Sequence, residues 1–174
     1  VIVAVTGHRP DKLFLPKLSG YDENNPLRVW VREQMAYRLR RLRPLYGISG
    51  MAIGVDQDFA EVCVALRIPL IAAIPFRGQE RQWPYPSQQR YHQLLKLAHE
   101  VVVVWEGGYS RDAMMARNHW MIDHSNMLMA VFDGTTGGTA ATVLYAHRVQ
   151  ATFPERRYEI DRIDPSEFRM RWVA

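Results

Sequence analysis

Residues 1–10 read VIVAVTGHRP. Five apolar or small residues run straight into Thr6-Gly7-His8-Arg9-Pro10, which is polar, basic and turn-prone. That is the pattern of a buried β-strand handing its chain to a loop. The same pattern recurs along the sequence. Residues 46–49 form a short apolar run ending at Gly50, and residues 69–74 form another closed by Pro75. Residues 101–105 are nearly pure valine, the mark of a strand buried on both faces. Residues 127–132 run into Asp133-Gly134. Helix-like stretches separate these runs at 27–45, 55–66, 87–99, 111–124 and 138–149. In the first of them Leu27, Val31, Met35 and Leu42 fall near helical spacing, and Asn24-Asn25-Pro26 supplies a start signal. Gly54 or Asp56 is placed to cap the second. The tail at 157–163 alternates like an edge strand. Strands alternating with helices imply right-handed crossovers and an α/β architecture. The expected fold is Rossmann-like, an open, mainly parallel, doubly wound sheet with helices on both faces. Residues 1–150 are expected to form one such domain, with 151–174 as an extension packed on it.

Ligands of such sheets sit beyond the carboxyl ends of the strands, near the switch point in strand order. The polar, glycine-rich segments of this chain all follow strands. Thr6, Gly7, His8 and Arg9 follow the first, and Gly50 to Gly54 with Asp56 follow the second. Phe76-Arg77-Gly78-Gln79-Glu80 follows the third, and Glu106-Gly107-Gly108-Tyr109 the fourth. The fifth is followed by Asp133, Gly134, Thr136, Gly137, Gly138 and Thr139. This last loop is the best phosphate cradle, because a glycine turn entering a helix aims free N–H groups at an anion. No Lys-Ser or Lys-Thr pair follows the glycines, and no G-x-G-x-x-G is present, which argues against ordinary NTPase and dehydrogenase chemistry.

The net charge is +4, which favours anionic ligands. Arg28, Arg32, Arg38, Arg40, Arg41 and Arg43 crowd one helix with only Glu33 against them. They read as a solvated helix face or as a phosphate or nucleic-acid face. The one cysteine, Cys63, rules out an internal disulfide and suits a reducing cytoplasm. No apolar run approaches the roughly 20 residues of a membrane span, and the apolar start is too short for a secretory signal. No histidine or cysteine spacing suits zinc, no G-x-S-x-G elbow occurs, and no metal or cofactor is expected.

TGHRP at 6–10, GMAIGVDQDFAE at 50–61, IPFRGQERQWP at 74–84, RNHWMID at 117–123 and DGTTGGTAATVLYA at 133–146 resemble, in this order, the YpsA-like branch of the SLOG superfamily. The resemblance implies a Rossmann-like nucleotide-binding fold. It does not choose among three readings. The first is a protein that binds or senses a nucleotide or nucleotide derivative. The second is an N-glycosidic hydrolase of nucleoside 5′-monophosphates, like the LOG phosphoribohydrolases. The third is single-stranded DNA binding, like the DprA proteins. Against the LOG motifs, Arg117 is retained, Asn118 replaces a lysine, and Thr142 stands where the catalytic glutamate belongs. Hydrolysis would therefore need Arg117 with another carboxylate, Asp56, Glu80 or Asp133. Arg9 and Arg117 are the phosphate candidates. Asn118 is a candidate for a base edge or ribose hydroxyl, and Trp83 for a stacking platform. The aromatics Trp30, Tyr37 and Trp172, with the resemblance, point to a homodimer, and no membrane partner is expected.

Overall fold

The computed structural model describes residues 1–13, 22 and 24–172. Strand β1 (Ile2–Gly7) is followed by a single helical turn α1 (Pro10–Leu13) and helix α2 (Pro26–Leu42). Then come β2 (Tyr46–Ser49), α3 (Val55–Ala65), β3 (Leu70–Ile74), α4 (Tyr85–Leu97) and β4 (Glu100–Val103). The chain continues through α5 (Arg111–Asp123), β5 (Met127–Val131), α6 (Gly138–Thr152), a 3-10 turn at Pro154–Arg156, β6 (Glu159–Ile163) and α7 (Pro165–Trp172). The six strands form one sheet in the order β4-β3-β2-β1-β5-β6, and every adjacent pair is parallel. The chain steps outward from β1 to β4, returns through α5, and resumes at β5 on the other side of β1. The switch point therefore lies between the tips of β1 and β5.

Alternation along the strands assigns the two faces. Val3, Val5, Met129 and Val131 share a core with Val31, Met35 and Leu39 of α2, Phe59 and Cys63 of α3, and Tyr91 and Leu94 of α4. Ala4, Ile48, Leu128 and Ala130 point the other way, onto Met121 and Ile122 of α5 and Ala146 and Val149 of α6. Each large side chain so buried contributes about 1.5–3 kcal/mol. The fit is close where α3 crosses the sheet. A Cβ at Gly7 would lie 2.5 Å from Val55, and one at Gly47 would lie 2.6 Å from Cys63 Sγ.

Three expectations change. Helix α2 stops at Leu42, because Pro44 disfavours helical geometry at Arg43, which turns left-handed at φ +48°. Strand β4 is not buried on both faces. It is an edge strand paired only with β3, and Val101 is 44% exposed. The valine run resembles a central strand because sequence reports hydrophobicity but not the number of neighbours. Trp30 is half-buried rather than a free aromatic, tilted against Phe168 of α7 at 5.9 Å between ring centroids. Tyr37 is exposed, and the side chain of Trp172 lies outside the described residues.

The arginine-rich helix is also resolved. Arg28 donates to Asp58 of α3 at 2.6 Å, Arg32 lies 3.0 Å from Glu61, and Arg38 lies 3.1 Å from Asp161 of β6. Arg90 of α4 joins Asp58 at 2.7 Å and also pairs with Glu61. Glu33 looked like the lone counter-charge because the carboxylates that matter arrive from other elements. Among the described residues no helix is long and apolar enough to cross a membrane, and no His/Cys/Asp/Glu group is arranged to hold a metal.

Candidate functional site

A cavity of about 650 Å³ opens at the switch point. Thr6, Gly7, His8, Arg9 and Lys12 enter it from the tip of β1. Ala52 and Ile53 come from the β2–α3 turn and Asp56 from the first turn of α3, while Tyr109 comes from the β4–α5 turn and Arg111 opens α5. Helix α5 contributes Met114, Met115, Arg117 and Asn118, and the start of α6 contributes Gly137, Gly138, Thr139 and Thr142.

Arg117 is the buried centre of one wall. It is 5% exposed, so it is no surface ion pair. Its guanidinium donates to the Gly50 carbonyl and, at 2.8 Å, to Asn118 Oδ1, and it lies 3.5 Å from Asp56 Oδ2. Gly50 leaves the room for this, since a Cβ there would fall 1.7 Å from Arg117 Nη1. Burial pushes the Asp56 carboxyl up from its ordinary value, against the pull of the Arg117 charge and the Ala52 N–H. Burial also lowers Arg117, with Asp56 opposing it. Asp56 does not cap α3. Gly54 holds the N-cap at φ +99°, and Asp56 sits in the first helical turn, within 3.4 Å of the Ala52 N–H.

His8 ties the tips of β1 and β5 together. Its Nε2 lies 2.9 Å from Asp133 Oδ1 and 3.2 Å from Thr135 Oγ1. Asp133 also accepts from the Thr135 N–H at 3.0 Å and from its hydroxyl at 2.8 Å. Partial burial raises the Asp133 carboxyl, but the Thr135 donors and His8 outweigh it and bring it down to about 2. Asp133 stands behind His8 and is not a lining residue of the cavity.

The cations facing the cavity are Arg9, Lys12, Arg111 and Arg117, against Asp56 as the lining carboxylate. Arg9, Lys12 and Arg111 have no ion pair among the described residues. Lys12 Nζ donates to the Thr136 carbonyl at 3.3 Å, which sets it beside the start of α6. There Gly137 is the N-cap at φ +144°, with no side-chain cap, so the first N–H groups of α6 remain open. Thr142, where the LOG glutamate would stand, is buried in the wall and donates to the Gly138 carbonyl at 2.9 Å.

The remaining candidates lie elsewhere. Glu80 lines no part of this cavity; its carboxylate faces His92 of α4 at 3.6 Å. Gly50, Gly54, Gly134 and Thr136 shape the turns without lining the cavity. Asp123, at the end of the RNHWMID motif, accepts from Tyr145 at 3.0 Å and does not line the cavity. Lys12 and Arg111 were missed by sequence reasoning. Lys12 stands one turn past Arg9, behind Pro10, and a proline opening a helical turn was the available signal.

A second cavity, of about 510 Å³, adjoins the first and shares Arg9, Ala52, Ile53, Tyr109 and Met114 with it. Its own walls include Phe76, Gln79, Arg81, Gln82 and Trp83. Trp83 meets Tyr91 edge-on at 5.4 Å, and Tyr109 meets Phe76 edge-on at 6.0 Å.

Comparison with known proteins places this geometry. An uncharacterized SPbeta prophage-derived protein of Bacillus subtilis, YoqJ, is 32% identical over 137 residues, covering 66% of this chain and 80% of that one. A UPF0398 protein of Halalkalibacterium halodurans is 28% identical over 133 residues, covering 73% of this chain and 68% of the relative. Among solved structures, DNA processing protein A (DprA) of Streptococcus pneumoniae superposes with a TM-score of 0.62 at 15% identity over 92% of this chain. The match spans 49% of that longer protein, about half its length. DNA processing protein A of Helicobacter pylori, described for its single-stranded DNA binding mode, gives a TM-score of 0.56 at 15% identity, covering 98% of this chain and 72% of that one. These two likenesses concern the fold. The sequence model of the YspA SLOG family matches residues 3–168. The chain belongs to the YspA SLOG family.

Proposed function

We propose that this protein binds a nucleotide or nucleotide derivative by its phosphate at the β1–β5 switch point, without cleaving it. The observation that carries this reading is the charge of the crevice: among the described residues, four cations and an uncapped helix N-terminus face one buried, arginine-paired carboxylate. Arginine and open N–H groups are the donors that suit phosphate. Hydrolysis is disfavoured by what the carboxylates do. Thr142 carries no charge, Asp133 holds His8 and Glu80 faces His92, which leaves Asp56 beside Arg117 as the lining carboxylate among the described residues.

The test is calorimetric titration with nucleoside mono- and diphosphates, together with chromatography for free base after incubation. Binding that weakens at least tenfold in Arg9→Ala/Lys12→Ala, with no base released, is the expected result. Base released by the native protein and lost in Arg117→Ala would make it a glycosidase.

Single-stranded DNA is the second reading, prompted by the DNA processing protein A neighbours. Of the arginines of α2, Arg28, Arg32 and Arg38 are paired with carboxylates, while Arg40, Arg41 and Arg43 at its end are exposed without an ion pair among the described residues. The affinity of a bound strand would fall steeply with salt.

A further inference from the structure

We propose that the second cavity is a ring-binding compartment of the same site, so that the preferred ligand is a free dinucleotide, two nucleosides joined through phosphate. This rests on the phosphate reading of the crevice. The two cavities share one wall, and Arg9 and Tyr109 stand on it. Their chemistries differ. The first gathers cations and open backbone N–H groups. The second gathers the flat side chains Phe76, Trp83 and Tyr109, with the Arg81 guanidinium among them. Aromatic rings and guanidinium planes are stacking surfaces for bases, whatever the base.

Phe76 is buried and Trp83 is half-buried against the core, whereas Tyr109 is 78% exposed on a loop, with an edge-on contact to Phe76. The Trp83 indole stands edge-on to Tyr91 at the rim of the core, with the second cavity along its side. A mononucleotide held at α6 would leave the second compartment unfilled. Together the compartments, about 650 and 510 Å³, exceed the ~300–1,000 Å³ usual for a small-ligand pocket. A phosphate bridging the compartments would pass Arg9.

The experiment titrates the full chain with AMP, diadenosine diphosphate (5′–5′ linked), pApA (3′–5′ linked) and a longer oligo-dA. Stacking of one base is worth about 1–3 kcal/mol, or roughly 5- to 150-fold. One of the dinucleotides is therefore expected to bind at least about tenfold tighter than AMP. Trp83→Leu should remove most of that gain and leave AMP within about twofold. Arg81→Ala, an exposed side chain lining only the second cavity, gives the same reading should Trp83→Leu fail to fold. AMP binding with no gain for either dinucleotide overturns the compartment and leaves the phosphate site standing. Affinity that keeps rising with oligo-dA length overturns the free dinucleotide in favour of a strand. Failure of every probe to bind overturns both readings.

Discussion

Gly50, Arg117 and Asp56 show what one missing side chain decides. The Arg117 guanidinium occupies the space a Cβ at Gly50 would need, and from there it reaches both the Gly50 carbonyl and Asp56. Gly50→Ala is expected to drive Arg117 from its seat at about 1–3 kcal/mol, as overpacking does. A denaturation midpoint lowered together with nucleotide affinity would confirm the coupling, and an unchanged affinity would contradict it. Asp133 gives a pH prediction. Its carboxyl is held at about 2 in the folded chain, against an ordinary 3.8. A depressed carboxylate contributes stability that is present above the unfolded value and is lost as pH falls through the folded one. Urea denaturation between pH 5 and pH 2 should show stability declining below about pH 4. Asp133→Asn should be less stable at neutral pH and flatter across that window. Sequence marked Arg117 as a phosphate candidate but held no sign of its burial. Its burial follows from the glycine that made room, 67 positions earlier in the chain.

Among the elements, the charged seam of α2, α3 and α4 carries the sharpest prediction. Asp58 is 1% exposed and accepts from both Arg28 and Arg90. Asp58→Ala strips a shared carboxylate from two guanidinium groups, and breaking a buried pair costs about 3–5 kcal/mol. Glu61→Gln, at the more exposed end of the seam, should cost about 1 kcal/mol or less. Denaturant midpoints of the two variants separate these outcomes, and equal losses would refute the seam's role. Element types were legible from period and punctuation. The helix after Asn25-Pro26 begins as the sequence indicates, with the Asn25 side chain accepting from the Leu27 N–H at 3.0 Å. The status of β4 was not legible, because a valine run is the same string in the centre of a sheet or at its edge.

At the scale of the whole molecule, two halves of a wound sheet meet at one crevice, so ligand there should stabilise the entire fold. A bound nucleotide at about 100 times its dissociation constant adds about 2.7 kcal/mol. For a chain of this size that corresponds to a Tm rise of about 5–10 °C. Differential scanning calorimetry should show this rise, and Arg9→Ala/Lys12→Ala should abolish it while leaving the ligand-free Tm nearly unchanged. A ligand-free Tm that falls sharply would mean these cations hold the fold rather than the phosphate.

The sequence by itself determined the strands, the helices between them, the parallel winding and the edge of the sheet where the polar loops gather. These depend on short-range periodicity and on turn residues, which a single chain displays openly. The tertiary structure decided which charges are spent and which are free. Arg28 meets Asp58 and Arg38 meets Asp161 because the strand order brings α3 and β6 beside α2, and sheet packing seats Arg117 over Gly50. Such pairings join residues 30 to 123 positions apart. Local patterns carry no record of them, since crossovers and burial alone set the distances and the dielectric in which those charges act.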